Sequence, residues 1–377
     1  MGAELVNPGV RGAFLWTDRG LVAFLKEAPF GIPGDIGDVF RWPGLSNAGR
    51  RRAAQDLLRR RRKDGVEETL GGLLRRRFGD EATDRAIAPL LAGLYAGDVD
   101  RLSASATFPE LLAWERSQSS LIRGSQAAAR AARSADVMPM FVRPRAGLSR
   151  LVEALSDRLG DRVHLDAPLA SLEALRDADA MVLAVPAFEA ARLVRPRAPV
   201  AADDLDGVAY ASTGVVLLVF GYGTQAALPD GTGFVVPRGK SPMTACTWIS
   251  SKWPDPAFGS RAVLRCFVGA VGDEGILDAV DEDLIEACAR HLSAVVALPE
   301  RPEEARVVRW PRSMPQYELG HLDRVERIRA ALPPGIFVVG SAYDGVGIPD
   351  CVRAAGETAD RVVEHLGLAT LDKETAR

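Results

Sequence analysis

Gly345, Gly347 and Pro349 stand between a β-branched run at Ile336–Val339 and an apolar stripe at Val352, Ala355, Ala359, Val363 and Leu366. The run reads as a strand, the glycines free the backbone for a tight turn, and proline suits the first turn of a helix. A helix start carries free N–H groups and a partial positive charge, which hold a phosphate, a carboxylate or the electron-rich edge of a cofactor ring. A plain connection in any α/β domain is the other reading of the same residues.

Further patterns invite chemistry. Arg309-Trp-Pro-Arg-Ser-Met-Pro-Gln-Tyr317, followed by Gly320-His321, sets aromatic and polar groups just ahead of the closing strand, and an α/β fold would bring them near the glycine turn. Ordinary core aromatics are the alternative. GFVVPRGKS at 233–241 ends like a phosphate-binding loop, but GxxxxGK[ST] needs its first glycine at Phe234 and finds it at Gly233. His164, His291, His321 and His365 lack partners at metal-ligand spacing, so no metal is expected, and without a GxSxG elbow nucleophilic hydrolysis has no support. The arginine runs 50–52, 59–62 and 75–77 alternate with Leu57, Leu58, Leu73 and Leu74; a solvated helix face is the first reading and a membrane surface the second.

The 377 residues, 47% hydrophobic, supply core for two domains or one composite one. A net charge of −3 excludes nucleic acid as an expected partner. The four cysteines form no CxxC pair, the opening residues do not read as a secretory leader, and Val215–Phe220 is far too short to span a bilayer. A reducing, cytoplasmic setting with at most a peripheral membrane contact is expected.

The elements that must position these residues follow from periodicity. Residues 12–25 predict a hairpin turning at Thr17–Gly20, and the Gly/Pro-rich stretch after Lys26 predicts a loop without regular structure. Residues 46–133 turn helical, with Ser46 or Asn47 as a cap, apolar positions at Ala53, Ala54, Leu57 and Leu58, a stripe at Leu70, Leu73, Leu74 and Phe78, an interruption at Pro89 and a turn at Gly97-Asp98. A helix is predicted over Leu148–Leu159, strands at Val163–Leu165 and Leu169–Leu172, and a buried strand over Asp179–Pro186. Strands recur at Thr213–Phe220, Gly233–Val236, Thr244–Ile249, Ala262–Val268 and 305–310, with a helix at Asp281–Ala297 and a polar tail after Gly367.

Tyr95-Ala-Gly-Asp98 with Leu102-Ser103, Phe108-Pro109 with Leu121-Ile-Arg-Gly124, Ala178-Asp179 through Ala184-Val-Pro186, Arg309-Trp310, Pro315-Gln-Tyr317 with Gly320-His321, and Gly345-Val-Gly-Ile-Pro-Asp-Cys351 occur in this order along nearly the whole chain. Together they resemble the FAD-dependent porphyrinogen oxidases of haem biosynthesis, in the flavin amine-oxidase superfamily. Lys26 with Gly31-Ile-Pro33 is most similar to the branch acting on coproporphyrinogen III rather than protoporphyrinogen IX. The resemblance implies that Val346, Gly347 and Ile348 meet the flavin, that Trp310 lies near its isoalloxazine ring, that Leu169 sits toward the adenine end, and that Lys26 serves catalysis at the substrate. It also implies an α/β (α+β), two-lobed fold with a helical cap, in which 1–40 and 191–304 form a substrate lobe, 41–140 the cap, and 141–190 with 305–377 a flavin-side lobe. The reaction implied is oxidation of a porphyrinogen to the porphyrin by FAD and O₂ with release of H₂O₂, with later haem-pathway enzymes as partners. Alternatives are another flavin amine oxidase or desaturase, an inactive remnant, or a non-enzymatic peripheral membrane protein. The sequence contains no GxGxxG turn and no following acidic ribose ligand, so the N-terminal dinucleotide-binding βαβ is expected to be missing and the chain alone to bind flavin poorly.

Overall fold

Three separate apolar cores organise the chain in a computed structural model that describes residues 5–62, 64–134 and 141–368. Most of the polar tail after Gly367 lies outside the described residues. The first core is helical. Asp35, Ser46, Thr69 and Ser103 each cap a helix by accepting a first-turn N–H, opening Ile36–Arg41, Asn47–Ala54, Leu70–Phe78 and Ala104–Thr107. The Asp35 cap is why a helix begins inside the stretch predicted to lack regular structure. Leu70, Leu73, Leu74 and Phe78 are fully buried, as their 3.6-residue period requires, and Trp42 meets Phe78 edge to face at 5.4 Å. Pro89 opens the helix Ala88–Tyr95 after a π-helical turn at Thr83–Ile87.

The arginines of this lobe correct the first reading as a solvated face for Arg50, Arg52 and the run 75–77, while Arg51 stays exposed. Arg77 is fully buried against Asp56, also fully buried, and reaches Glu115; Arg76 pairs with Glu68 and Glu115, and Arg75 with Asp84 and Asp100. Arg52 donates to the carbonyls of Arg75, Arg76 and Arg77, capping the negative end of the helix Leu70–Phe78. Leu58, by contrast, is 86% exposed beside exposed Arg59, Arg60 and Arg61.

The strands, in chain order, are β1 (Leu5–Val6), β2 (Phe14–Thr17), β3 (Gly20–Ala23), β4 (Arg143–Pro144), β5 (Met181–Leu183), β6 (Tyr210–Val219), β7 (Gly233–Val235), β8 (Ala245–Trp248), β9 (Val263–Val268), β10 (Glu304–Pro315) and β11 (Ile336–Val338). Seven form one sheet in the order β10-β6-β9-β8-β7-β2-β3, antiparallel except between β2 and β7. The β2–β3 pair is the hairpin read from residues 12–25. One face of the sheet packs on the helix Asp281–Val295 through Val216, Leu218, Cys246, Leu264, Cys266, Val268, Leu284 and Leu292. Strand β10 runs to Pro315 past a bulge after Trp310, and its pairing with β6 puts it in this sheet rather than with the closing segment, against the division drawn at 305.

The third core surrounds the parallel pair β5–β11 with the helices Ala187–Val194, Pro199–Asp206 and His321–Ala331. Expectations fail here. Val163–Leu165 and Leu169–Leu172 form no strands: these residues find no ladder partner, and a strand is held by its ladder. Strand β5 is three residues long and its central Val182 is exposed. The helix Ser149–Leu159 buries none of its residues, and the closing helix Ile348–His365 buries Ala354 and Thr358 while Val352 of the predicted stripe is 63% exposed.

Candidate functional site

Between β11 and the closing helix the backbone takes conformations that only glycine adopts freely, φ +130° at Gly340 and +126° at Gly345. A Cβ on Gly345 would sit 2.5 Å from Cβ of Asp350, so the turn closes on the helix start only without a side chain there. Gly347 caps the helix and supplies no side-chain acceptor, which leaves first-turn N–H groups available. Val346 packs against the helical core, and Ile348 is exposed.

Tyr317 holds this turn at both ends. Its hydroxyl donates to the carbonyl of Ser341 at 2.7 Å and accepts the N–H of Gly345 at 2.8 Å. Burial pushes the phenol far above its ordinary pKa, so the proton it donates stays in place. His321 stacks on the phenol ring at 3.8 Å and 13°, with Nε2 3.2 Å from the carbonyl of Tyr343. A carbonyl only accepts, so Nε2 carries the hydrogen; burial lowers the imidazole pKa and keeps the ring neutral.

The same segment ties in the helical lobe. Ser103 N–H donates to the carbonyl of Tyr317 at 2.7 Å, Gln316 Nε2 to the carbonyl of Tyr95 at 2.8 Å, and Glu67 accepts from Gly320 N–H and from the hydroxyls of Ser103 and Ser105. Burial raises the pKa of Glu67, but these hydrogen bonds outweigh it and the carboxyl sits below its ordinary value. The 95–103 segment, the 315–321 segment and the glycine turn thus form one junction among three cores. The expected approach of Tyr317 and His321 to the turn is met. The role of Glu67 was not foreseen, because a lone carboxylate ahead of a helix carries no distinctive spacing.

A second wall is the open face of the large sheet. Side chains alternate along a strand, so the residues that do not enter the sheet core of Val216, Leu264 and Cys266 point the other way. Register places Trp310 opposite Thr213, Val308 opposite Val215 and Phe267, and Arg306 opposite Leu217 and Arg265. Trp310, 45% exposed, therefore shares a face with Phe267 and Arg265.

The remaining expected residues lie apart from the turn. Lys26 is exposed on the rim of a cavity of 270 Å³ between the loop after the hairpin and the helix Leu121–Ser134, with Glu27, Asp35, Asp38 and Gln126 in its walls. Leu169 is half-buried against the core that Ala342 and Tyr343 enter, and its carbonyl accepts from Arg192 at 3.1 Å.

Comparison with known proteins sets this junction in context. Residues 5–363 match the family described as flavin containing amine oxidoreductase. Coproporphyrinogen III oxidase of Bacillus subtilis (strain 168) is 34% identical over 370 residues, covering 92% of this chain and 78% of that protein. The enzyme of the same name from Mycobacterium tuberculosis (strain ATCC 25618 / H37Rv) is 37% identical over 329 residues, covering 83% and 69%. A crystal structure titled putative protoporphyrinogen oxidase, from Exiguobacterium sp. 255-15, superposes with a TM-score of 0.83 at 30% identity over 97% of this chain and 82% of that one.

Proposed function

We propose, from the premise that this chain belongs to the family of flavin-containing amine oxidoreductases, that it oxidises a porphyrinogen to the porphyrin, with coproporphyrinogen III as the preferred substrate. The observation that carries this reading is the junction at Tyr317, in which segments that carry the resemblance to porphyrinogen oxidases meet at one glycine turn. The cofactor is FAD, and the turn fits it: glycine conformations let a ring approach the backbone, uncapped N–H groups await an acceptor, and Val346 and Ile348 offer apolar contact. Gly347, Val346 and Ile348 would hold the ring with Trp310 beside it, and Leu169 would lie toward the adenine end. When bound, the flavin supplies a two-electron acceptor for hydride from carbon.

The chain's own part is positional. Tyr317 fixes the turn, the helix start favours negative charge beside it, and the face carrying Trp310, Val215 and Phe267 offers a flat apolar wall that excludes water. Loss of six electrons and six protons makes a porphyrinogen a porphyrin; with O₂ as final acceptor, three O₂ become three H₂O₂. Lys26 is assigned to the substrate, pairing with a carboxylate arm. A cytoplasmic site, and a peripheral contact of Leu58–Arg61 with anionic lipid, complete the reading; among the described residues no helix is long and apolar enough to cross a membrane.

The test is to load the protein with FAD in air, supply coproporphyrinogen III or protoporphyrinogen IX, and follow porphyrin fluorescence. Faster turnover of the tetracarboxylate, lowered several-fold by Lys26→Met, is expected. In protein whose visible spectrum shows bound flavin, absence of porphyrin formation above the spontaneous rate refutes the function, and unchanged kinetics in Lys26→Met refutes that residue's role.

A further inference from the structure

Lys252, Arg265 and Arg143 are half-buried cations gathered at one end of the large sheet. Lys252 closes the short helix Ile249–Lys252 after β8, Arg265 lies on β9 opposite Thr247, and Arg143 lies on β4. Among the described residues no carboxylate pairs with any of the three. Aromatic faces stand in: Arg143 lies over Trp253 at 5.2 Å, Lys252 over Phe141 at 4.7 Å and Trp253 at 5.7 Å, and Arg265 over Phe267 at 4.8 Å. Nε of both Arg143 and Arg265 is buried without a hydrogen-bond partner. Burial lowers the pKa of Lys252, and the like charge of Arg265 lowers it further. Arg143 also donates through Nη1 to the carbonyls of Pro144 and Arg145, whereas Arg77, the one fully buried guanidinium among the described residues, is matched with Asp56. Three clustered cations without a carboxylate therefore leave charge and buried N–H groups to be satisfied.

We infer that Lys252, Arg265 and Arg143 form a carboxylate-binding site at the edge of the substrate wall, taking the acidic arms of a flat apolar molecule that lies along the open sheet face. This deepens the porphyrinogen reading and rests on it. Arg306 and Trp310 are four residues apart on β10, about 13 Å, and Arg265 lies two strands over, about 10 Å, so Trp310 and Arg265 are about 16 Å apart across one face. That span, paved by Val215, Leu217, Val308 and Phe267, is comparable with a tetrapyrrole and its carboxylate arms. An anion there would satisfy the orphaned N–H groups and relieve the repulsion between Lys252 and Arg265. More than one cation at the site favours a substrate with more carboxylates.

Coproporphyrin III, a stable tetracarboxylate, and its tetramethyl ester serve as probes in fluorescence titrations of the full chain with FAD present. Lys252→Met and Arg265→Met should each weaken binding of the acid by about tenfold or more and leave the ester unchanged, while Arg265→Lys stays near wild type. Equal affinity of wild type and both Met variants for the acid overturns the site. If wild type binds no porphyrin, the porphyrinogen reading fails, and thermal shift with benzene-1,2,4,5-tetracarboxylate then decides the site alone. Stabilisation of wild type but not of Lys252→Met upholds it; no stabilisation of wild type overturns it.

Discussion

Tyr317 uses its hydroxyl as donor and acceptor at once, which no other residue of its size and rigidity can do at that spot. Tyr317→Phe leaves the ring stacked on His321 but strips partners from Gly345 N–H and the Ser341 carbonyl, a cost of about 1–3 kcal/mol. A lower melting temperature by a few degrees and about tenfold weaker flavin binding are expected, read by thermal unfolding and flavin-fluorescence titration. Unchanged values in both would show that the turn holds itself. Sequence alone marked Tyr317 as an aromatic near the turn; that its hydroxyl bridges residues 24 and 28 positions later is set by how β10 exits the sheet, which no local pattern encodes.

At the scale of elements, the helix Leu70–Phe78 carries its apolar stripe and its three arginines for one purpose, closure of the helical lobe. Arg77→Leu leaves Asp56 buried without its cation, with the Ser120 hydroxyl and Ile122 N–H as the remaining partners of its side chain among the described residues, and should cost about 3–5 kcal/mol in urea unfolding. The double variant with Asp56→Leu should recover part of that loss; full additivity of the two losses would show that they do not interact. Burial pushes Glu115 up in pKa, yet Arg76 and Arg77 more than offset it, so the carboxyl sits below its ordinary 4.5. A depressed carboxyl contributes stability that is present above the unfolded-state value and lost as pH falls through the folded-state value. Stability that declines as pH falls below about 4.5, and declines less steeply in Glu115→Gln, is the expected signature in urea unfolding at a series of pH values. The stripe was legible because a 3.6-residue period survives any tertiary context; the pairing of Arg77 was not, since Asp56 and Glu115 lie 21 and 38 positions away.

Across the whole molecule, the arginines used inside the helical lobe leave a smaller basic surface than the sequence offers. Arg59, Arg60 and Arg61 with Leu58 remain for a lipid contact, and a net charge of −3 supplies no general attraction. Weak sedimentation with anionic vesicles at low salt is expected, abolished by physiological salt, where screening acts within about 8 Å, and by replacing the three arginines with glutamine. Equal partition to neutral vesicles at low salt would dismiss the contact.

Sequence by itself determined which segments are helix and which are strand wherever the apolar period was long, as in Leu70–Phe78, β6 and β9, because side-chain direction follows directly from backbone geometry. It also determined the glycine turn, since only glycine occupies φ +126° beside a helix start. Tertiary structure alone decided which face the closing helix buries and which neighbours each strand finds. The closing helix turns Ala354 and Thr358 inward and Val352 outward, β10 joins the large sheet, and Val163–Leu165 pairs with nothing, because burial and ladder pairing depend on neighbours distant in the chain. The meeting of Tyr317 with Gly345, and of Lys252 with Arg265, belongs to that second kind: short-range pattern writes the parts, and long-range contact chooses their partners.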